Sequence, residues 1–343
     1  MTTSKAVITG ITGQDGAYLA KLLIDQGIEV FGVAQSLEQE RLWRLSQVGL
    51  IDNSRLHLSA WTIENPELVN AFVQEIRPDT LYNLASHSSV VDSAKIPYTT
   101  GMVTGVSAVN LLEAISTYSP NTRFFQAGSS EMFGAPLSAP QNEDSYFAPR
   151  SIYGSAKLMA YWATENYKIQ KELFATTGIL YNHESPLRSP EFVTRKISQS
   201  VARIKQGKQN LLEIGNLSAS RDWGYAPEYV SAMHLILKQK VPENFVIASG
   251  ISSTVRDFVR WSFAAAEVEI AFEGSGTNEK GYDQKSGALL VESNPEFYRV
   301  DEEIPLVGNP GKLASTAGWK TEKTAQQVAQ LMVESDLGIE HGH

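Results

Sequence analysis

A tyrosine and a lysine stand four residues apart in the segment Tyr153-Gly154-Ser155-Ala156-Lys157. On a helix, this spacing places the phenol and the ammonium group on the same face. A lysine beside a phenol favours the phenolate, and each unit taken from the usual tyrosine pKa of about 10 is worth about 1.4 kcal/mol. The pair therefore predicts a tyrosine that acts as a base near neutral pH.

The same pattern recurs at Tyr167 and Lys171, two heptads further along the same expected helix. At a rise of about 1.5 Å per residue, the second pair lies roughly 21 Å from the first. We therefore interpret it as a surface pair.

Two more polar groups come directly after the apolar, strand-like run Phe124-Phe125-Gln126-Ala127. Catalytic groups of an open α/β sheet collect where its strands end. Ser129 can share a hydrogen bond with a substrate hydroxyl and the phenol of Tyr153, and Glu131 adds a second proton-transfer group. Because an oxidation needs only one base, the carboxylate suggests proton removal next to a new ketone and protonation of a leaving group. The alternative is that Glu131 is an exposed loop carboxylate.

A glycine-rich segment, Gly10 to Gly16, follows the first strand-like run and opens the first helix. Glycine at this GxxGxxG spacing permits a tight turn and close approach of the backbone to a pyrophosphate, and the helix N-terminus offers free N–H groups. The segment predicts a dinucleotide site, with an ordinary glycine-rich turn as the alternative. The cofactor-binding residues expected here are Gly10, Thr12, Gly13, Gln14, Asp15 and Gly16.

The end of the second strand, Ala34-Gln35-Ser36, carries neither usual signal for the cofactor's adenosine ribose. An acidic residue there favours the 2′-hydroxyl of NAD, whereas an arginine favours the 2′-phosphate of NADP. Arg41 and Arg44 follow, and they reach a phosphate only if the loop folds back; otherwise they are surface charges. A bound cationic nicotinamide would further favour the phenolate of Tyr153.

Short apolar runs alternate with helix-period segments over the first two thirds of the chain. This alternation predicts an α/β protein with a doubly wound (Rossmann) parallel sheet, covered by helices on both faces. Strands are expected at 6–9, 30–33, 56–58, 81–84, 124–127 and 175–181, and helices at 18–26, 68–76, 103–118 and 153–171.

After about Asn182 this rhythm changes to polar loops, short strands and helices without regular alternation. We expect residues 1–181 to form a dinucleotide-binding domain, with segments returning to it from about 220–255. Residues 182–343 then form most of a smaller C-terminal α/β domain for the substrate. The glycine-rich, polar stretch from Gly274 to Gly287 predicts a mobile loop.

The 343 residues contain no cysteine, and 29 Lys+Arg stand against 38 Asp+Glu, a formal net charge of −9. The lack of cysteine excludes disulfides, thiol catalysis and cysteine-based zinc sites, and it suits a reducing cytoplasm; we assign no metal ligands. The acidic balance argues against binding to nucleic acid. No apolar run approaches the roughly 18–20 residues that span a bilayer, and no signal peptide is visible, so we expect a cytoplasmic protein without a membrane partner.

Several segments, all in the same order, resemble the extended short-chain dehydrogenase/reductases, and within them the GDP-mannose 4,6-dehydratases. The resemblance covers about residues 5–335. It rests on the segments Thr9 to Gly16, Tyr82 to Ala85, Gly128 to Gly134, Pro149 to Lys157, Asn182 to Pro186, Phe192 to Lys196 and Arg221 to Ala226.

The resemblance implies dehydration of GDP-D-mannose to GDP-4-keto-6-deoxy-D-mannose, with no net redox change and with NADP as the cofactor. Tyr153 takes the proton of the sugar 4-hydroxyl as hydride leaves C4, Glu131 removes the C5 proton and helps water leave C6, and the hydride returns to C6. Ser129 stands where the family usually has threonine, and Lys157 also positions the nicotinamide ribose.

The same matching implies further binding residues and an assembly. The additional cofactor-binding residues are Arg41, Thr62, Leu84, Ala85 and His183, and Tyr153 and Lys157 also contact the cofactor. The GDP-sugar residues are Ser88, Ser130, Asn182, Val193, Arg195, Lys196, Arg221, Arg299 and Glu302. A guanidinium group can bind a diphosphate bidentately, which suits the arginines. A homodimer or homotetramer is expected, in which the loop from Gln35 to Arg44 touches a neighbour.

The chain departs from the family pattern at several positions. The basic pair usual after the second strand is missing, and Trp61-Thr62-Ile63 replaces a Gly-Asp-Leu beside adenine, so NAD is a possible cofactor. His87 replaces a glutamine near the sugar, as an added acid/base group or a hydrogen-bonding substitute, and Val300 replaces a proline. The alternatives are a related dehydratase, dehydrogenase or reductase for another nucleotide sugar, and a non-catalytic nucleotide-sugar-binding protein.

Overall fold

The computed structural model describes residues 3–299 and 304–338, and a seven-stranded sheet forms its centre. The strands in chain order are β1 (Lys5–Thr9), β2 (Glu29–Ala34), β3 (Leu56–Ala60), β4 (Thr80–Asn83), β5 (Arg123–Ala127), β6 (Ala175–Leu180), β7 (Asn182–Glu184), β8 (Leu212–Ile214), β9 (Ser220–Tyr225), β10 (Phe245–Ile247), β11 (Ser252–Thr254), β12 (Ile270–Glu273), β13 (Lys280–Asp283) and β14 (Leu289–Ser293).

The helices pack around these strands. In chain order they are α1 (Gln14–Asp25), α2 (Trp43–Gln47), α3 (Pro66–Ile76), α4 (Val90–Lys95), α5 (Pro97–Thr100), α6 (Ser107–Tyr118), α7 (Ile152–Gln170), α8 (Val193–Lys205), α9 (Ala226–Leu237), α10 (Val255–Ala265), α11 (Gly311–Ala317) and α12 (Ala325–Leu337). A π-helical turn, Gly101–Val106, joins α5 to α6, so the helix expected at 103–118 begins with irregular geometry.

The central sheet has the strand order β10-β6-β5-β4-β1-β2-β3, and every pair in it is parallel. From β1 the chain winds outward through β2 and β3, and then returns to β4 on the other side. Ligands of such sheets bind in the crevice where the winding reverses, beyond the carboxyl ends of the strands. The predicted doubly wound α/β fold is confirmed, and its crevice lies between β1 and β4.

Both faces of the sheet are covered because neighbouring residues of a strand point to opposite sides. On β1, Ile8 belongs to an apolar cluster with α1 and α9, whereas Val7 belongs to a cluster with α3 and α6. Both residues are at most 1 % exposed. A strand with two buried faces explains the continuous apolar run in the sequence.

Two smaller sheets lie in the C-terminal half, with strand orders β11-β9-β7 and β12-β13-β14-β8. Their apolar side chains pack with α8, α10 and α12, and Trp223 and Phe258 lie in this cluster with ring centroids 5.2 Å apart. Between these elements, β10 returns to pair with β6 in the central sheet. In the described part of the chain, no helix has the length and hydropathy to cross a membrane.

The prediction of a mobile loop from Gly274 to Gly287 is wrong for half of the segment. The stretch contains a 3-10 turn, Gly276–Asn278, and strand β13, which pairs with β12 and β14. Gly281 on β13 is buried, and a Cβ there would lie 3.0 Å from the Val291 side chain. The glycine thus serves close packing between strands.

Candidate active site

A cavity of about 630 Å³ opens beyond the carboxyl ends of β1, β4, β5 and β6. It brings together residues that lie more than 280 positions apart in the chain, from Gly10 to Arg299. The sequence-predicted residues that line it are Gly10, Thr12, Gly13, Gln14, Asp15, Gly16, Leu84, Ala85, Ser88, Ser129, Ser130, Glu131, Tyr153, Lys157, Asn182, His183, Val193 and Arg299.

Other predicted residues are not among those that line this cavity. They are Arg41, Thr62, Arg195, Lys196 and Arg221. Glu302, together with Val300, lies outside the described residues.

The glycine-rich segment forms a close passage between β1 and α1. Gly10 has φ +71°, and a Cβ there would lie 2.9 Å from the backbone nitrogen of Ala85. Gly13 is the N-cap of α1, and no side chain caps the helix there. The first N–H groups of an α-helix have no partner within the helix. This turn therefore fits a pyrophosphate, which glycine leaves room for and the helix N-terminus can bind.

An acid and an imidazole meet at the start of α1. His183 Nε2 lies 2.8 Å from Asp15 Oδ2, and His183 Nδ1 lies 2.7 Å from the carbonyl oxygen of Tyr181. Both oxygens can only accept, so the ring satisfies both contacts when both of its nitrogens carry protons. His183 also stacks on Tyr229, with ring centroids 4.6 Å apart.

The two groups shift each other's pKa in opposite directions. Burial alone would lower the pKa of His183, but the charge and hydrogen bond of Asp15 outweigh it and raise that pKa. Burial alone would raise the pKa of Asp15, but His183 outweighs it and lowers that pKa. The resulting ion pair neutralises a carboxylate that would otherwise repel a phosphate at the helix N-terminus.

The four predicted catalytic side chains converge on the cavity. Lys157 Nζ donates to the carbonyl oxygen of Ala127 at 2.8 Å and lies 5.7 Å from the centroid of the Tyr153 ring. Ser129 shares a hydrogen bond with the Tyr153 hydroxyl and accepts one from the backbone N–H of Glu131 at 3.2 Å. The carboxylate and the phenol therefore face one space, as a two-step proton transfer requires.

The protein groups alone do not activate the phenol. The pKa of Tyr153 is raised to about 12, chiefly by burial, while the hydrogen bond from Ser129 lowers it in part and the charge of Glu131 adds to the rise. Burial also lowers the pKa of Lys157 to about 8. The low tyrosine pKa expected from Lys157 together with a cationic nicotinamide stays a prediction, because desolvation by the protein favours the neutral phenol.

The second tyrosine–lysine pair lies elsewhere. The Tyr167 hydroxyl donates to Glu113 Oε2 at 2.6 Å, and Lys171 is exposed. Neither residue lines the cavity. This placement agrees with the interpretation of a surface pair.

The two arginines after β2 differ in position. Arg44 lines the cavity, where its Nε donates to the carbonyl oxygen of Leu187 at 2.7 Å and its Nη1 to that of Thr12 at 3.2 Å. Arg41 is exposed and lies 3.8 Å from Glu38. The loop therefore folds back as considered from the sequence, but it brings Arg44 to the phosphate turn.

Three basic residues expected at the sugar nucleotide make contacts within the fold. Arg195 Nη1 pairs with Asp336 on α12 and donates to Ser198 Oγ at 3.1 Å. Lys196 Nζ lies 4.1 Å from the centroid of the Phe297 ring. Arg221 Nη1 donates to the carbonyl oxygen of Ser220 at 2.6 Å.

Several cavity residues escaped the sequence analysis. Arg188 lies 3.1 Å from the buried carboxylate of Glu184, and its guanidinium carbon is 3.6 Å from the centroid of the Phe192 ring. The sequence held a signal for Arg188, because this residue lies between two motifs of the cavity, 182–186 and 192–196. The other residues missed are Ser86, Ser89, Val90, Val91, Ala127, Gly128, Leu180, Tyr181, Glu191 and Phe192.

His87 lies beside the cavity without lining it. Its backbone N–H donates to Thr104 Oγ1 at 3.3 Å, which fixes the loop after β4. Its neighbour Ser88 lines the cavity.

The chain is similar to known proteins over nearly its whole length. The sequence model of the GDP-mannose 4,6 dehydratase family matches residues 7–332. GDP-mannose 4,6-dehydratase of Vibrio cholerae is 39% identical over 354 residues, which cover 99% of this chain and 95% of that protein. GDP-mannose 4,6 dehydratase of Homo sapiens is 40% identical over 342 residues, which cover 97% of this chain and 91% of that protein.

Solved structures share the fold at lower sequence identity. RMD from Pseudomonas aeruginosa complexed with NADPH superimposes with a TM-score of 0.77 at 21% identity, covering 98% of this chain and 99% of that chain. dTDP-glucose 4,6-dehydratase from Bacillus anthracis in complex with NAD gives a TM-score of 0.76 at 19% identity, covering 97% and 96% of the two chains.

Proposed function

The chain belongs to the GDP-mannose 4,6-dehydratase family, and on this basis we propose that it is a hydro-lyase that converts GDP-D-mannose to GDP-4-keto-6-deoxy-D-mannose. The observation that supports this reaction most directly is the meeting of Glu131 and Tyr153 in one cavity with the phosphate turn. An oxidation alone would need the phenol, whereas removal of water also needs the carboxylate.

The chain's own residues supply the proton transfers. Tyr153 takes the proton of the sugar 4-hydroxyl. Ser129 forms hydrogen bonds with the phenol oxygen and the sugar oxygen, and Lys157 stabilises the phenolate. Glu131 takes the proton at C5, which the new 4-ketone acidifies, and gives a proton to the hydroxyl that leaves C6 as water. A nicotinamide dinucleotide, when bound, supplies the hydride acceptor and donor, so that no net oxidation results.

The placement of the other residues supports a division of the cavity. We propose that residues 1–181, with returning segments from about 220–255, hold the cofactor through the phosphate turn, Leu84, Ala85 and His183. Residues 182–343 contribute most of the nucleotide-sugar site, together with Ser88 and Ser130 from the first part. The proposed substrate contacts that line the cavity are Ser88, Ser130, Asn182, Val193 and Arg299.

NADP is the proposed cofactor, and Arg44 is the proposed contact of its 2′-phosphate. Two of the guanidinium's N–H groups hold the carbonyl oxygens of Thr12 and Leu187, which places the charge at the phosphate turn. A charge-assisted hydrogen bond is worth about 1.5–3 kcal/mol. Arg44→Gln should therefore weaken NADPH binding about 10–100-fold and NADH binding by less than about twofold, in a titration of reduced-cofactor fluorescence.

The matched control is Arg41→Gln, whose side chain is exposed. It should leave both affinities unchanged. Equal losses for NADPH and NADH in Arg44→Gln would show that the arginine only braces the turn, and no loss would contradict its role in NADP binding.

A homodimer is the proposed assembly. Helix α7 carries a stripe of exposed apolar residues, with Met159, Trp162 and Ile169 at 45%, 54% and 72% exposure. A contiguous exposed apolar stripe marks an interaction surface, and a second copy of the chain can cover it symmetrically. Trp162→Glu should yield monomers in light scattering after size exclusion, and an unchanged mass would place any interface elsewhere.

The reaction is tested by incubation with GDP-mannose and NADP or NAD. We expect a 4-keto-6-deoxy product without accumulation of reduced cofactor. Net formation of NADPH or NADH, or turnover only with UDP-, CDP- or dTDP-sugars, would contradict the proposal.

Glu131→Gln should bind GDP-mannose and fail to eliminate water, whereas the control Glu113→Gln, outside the cavity, should retain activity. A protein that only binds the nucleotide sugar would show no turnover in either form.

A further inference from the structure

A chain of buried side-chain hydrogen bonds runs beneath the cavity towards Lys157. Thr9 Oγ1 donates to Asn83 Oδ1 at 2.7 Å, and Asn83 Nδ2 donates to Gln126 Oε1 at 2.8 Å. Gln126 Nε2 then donates to the carbonyl oxygen of Ala127 at 3.0 Å. The three side chains come from the adjacent strands β1, β4 and β5 and are at most 1% exposed.

These hydrogen bonds all run in one direction. Thr9 Oγ1 accepts from the backbone N–H groups of Leu84 and Ala85, each at 3.2 Å, so its single proton goes to Asn83. The Asn83 oxygen is then occupied, and its NH₂ group must face the oxygen of Gln126. Rotating the side-chain amide of either Asn83 or Gln126 by 180° would place two donors or two acceptors opposite each other. This is costly in a buried site. The orientation of the Gln126 amide is therefore fixed.

The series of hydrogen bonds ends at the backbone carbonyl group of Ala127, which accepts from two donors. The oxygen of Ala127 accepts from Gln126 Nε2 and, at 2.8 Å, from Lys157 Nζ. Asn83 and Gln126 form the last pair between β4 and β5, whereas Ala127, the last residue of β5, pairs with Gly178 on β6. Lys157 is 3% exposed. Its buried ammonium group depends on the direction in which this carbonyl points.

We propose that Gln126 is a positioning residue for Lys157. It holds the peptide plane between Ala127 and Gly128 together with the backbone N–H of Gly128, which donates to the carbonyl oxygen of Gly178 at 2.8 Å. This plane fixes both the acceptor of the lysine and the start of the segment that carries Ser129. Asn83 and Thr9 in turn hold the Gln126 amide. The expected effect on turnover rests on the proposed function, whereas the expected position of Lys157 relative to the Ala127 oxygen does not.

The test compares Gln126→Met, which keeps the length and removes the amide, with Tyr82→Phe. Tyr82 precedes Asn83 on β4, is 0% exposed, and shares a hydrogen bond of 3.0 Å with His234, away from the cavity. Displacement of a catalytic group by about 1 Å can cost about 100-fold in rate. We expect Gln126→Met to lower kcat about 10–100-fold and to change KM for GDP-mannose less than about twofold. Tyr82→Phe should lower thermal stability as well and leave kcat within about twofold.

If Gln126→Met does not fold, a second pair of variants tests whether the hydrogen-bonded side chains position Lys157. Thr9→Val removes the hydroxyl at constant shape, and Thr9→Ser keeps it. We expect Thr9→Val to lower kcat about fivefold or more, and Thr9→Ser to restore it. Equal losses in Thr9→Val and Thr9→Ser, or in Gln126→Met and Tyr82→Phe, would show that the network only stabilises the fold.

A crystal structure of Gln126→Met reads the positioning without turnover. The distance from Lys157 Nζ to the Ala127 oxygen should exceed about 3.5 Å, beyond a hydrogen bond. An unchanged distance overturns the proposal even if the wild-type protein turns over GDP-mannose. A wild-type protein that turns over no GDP-mannose contradicts the proposed function instead, and leaves this distance as the deciding observation.

Discussion

The amino-terminal and carboxyl-terminal sides of the cavity use charged residues in different ways. On the first side, Ser129 and Glu131 follow the end of β5, and Tyr153 and Lys157 reach the cavity from the start of α7. On the second side, Arg195 was expected at the sugar nucleotide but pairs with Asp336 inside the fold. The position of a catalytic group follows from local backbone and sheet topology, whereas the use of an arginine depends on which distant acid the fold brings to it.

Removing the Tyr153 hydroxyl tests whether the amino-terminal side of the cavity supplies the catalytic base. Proton transfer by a positioned side chain contributes about 10²–10⁴-fold to rate. Tyr153→Phe should therefore lower kcat by that factor and leave cofactor affinity within about threefold, measured by turnover and by fluorescence titration.

The chain offers a matched control for that variant in its second tyrosine–lysine pair. Tyr167→Phe removes a hydroxyl from the same helix and breaks a hydrogen bond to Glu113. Its kcat should equal that of the wild type. A comparable loss in both variants would mean that helix α7, and not the phenol at the cavity, determines the rate.

The second largest effect is expected at Arg195. Its side chain and that of Asp336 are each 10% exposed, so Arg195→Met leaves a buried carboxylate without its partner. Breaking a buried ion pair in this way costs about 3–5 kcal/mol. We expect urea unfolding to show that loss of stability, while the folded variant binds GDP-mannose as the wild type does.

The double variant Arg195→Met/Asp336→Leu distinguishes the two uses of the arginine. Replacing both charges with apolar groups should recover most of the lost stability. If the stable double variant still binds GDP-mannose weakly, Arg195 contributes to the substrate site.

The sequence predicted the strands and helices of the central sheet because these depend on short-range patterns. The strand at 124–127 and the residues just after it place Ser129 and Glu131 at the sheet edge whatever the rest of the chain does. The sequence could not show that burial raises the pKa of Tyr153, because desolvation depends on packing across the whole cavity. The matching of residues to the family named Arg41, whereas the fold brings Arg44 to the phosphate turn, because the carbonyl oxygens of Thr12 and Leu187 hold its guanidinium group.

The two sides of the cavity meet at the ion pair of His183 and Asp15. The raised pKa of His183 means that its contribution to stability is complete below the ordinary value of 6.5 and is lost as pH rises through the folded value. The lowered pKa of Asp15 means that its contribution is complete above 3.8 and is lost as pH falls through the folded value. The pair should therefore stabilise the protein most between these two values.

The measurement is the difference in free energy of unfolding between wild type and His183→Gln. A hydrogen bond between charged groups contributes about 1.5–3 kcal/mol, so the difference should be about that large at pH 5.5 and should shrink at alkaline pH. A difference that stays constant from pH 5.5 to alkaline pH would show that His183 is neutral in the folded protein.

The smallest effect is expected at Lys196, and it tests whether the carboxyl-terminal side binds substrate directly or through packing. Its ammonium group lies 4.1 Å from the ring centroid of Phe297, two residues before the cavity residue Arg299. A cation–π contact of this kind is worth about 0.5–1 kcal/mol, so Lys196→Met should weaken GDP-mannose binding about 2–5-fold. The control Lys5→Met loses a cation 5.8 Å from the Phe31 ring, at the opposite end of the sheet, and should leave binding unchanged. A loss well above tenfold would mean that Lys196 contacts the diphosphate itself, and this side of the cavity would then use its charges as the first side does.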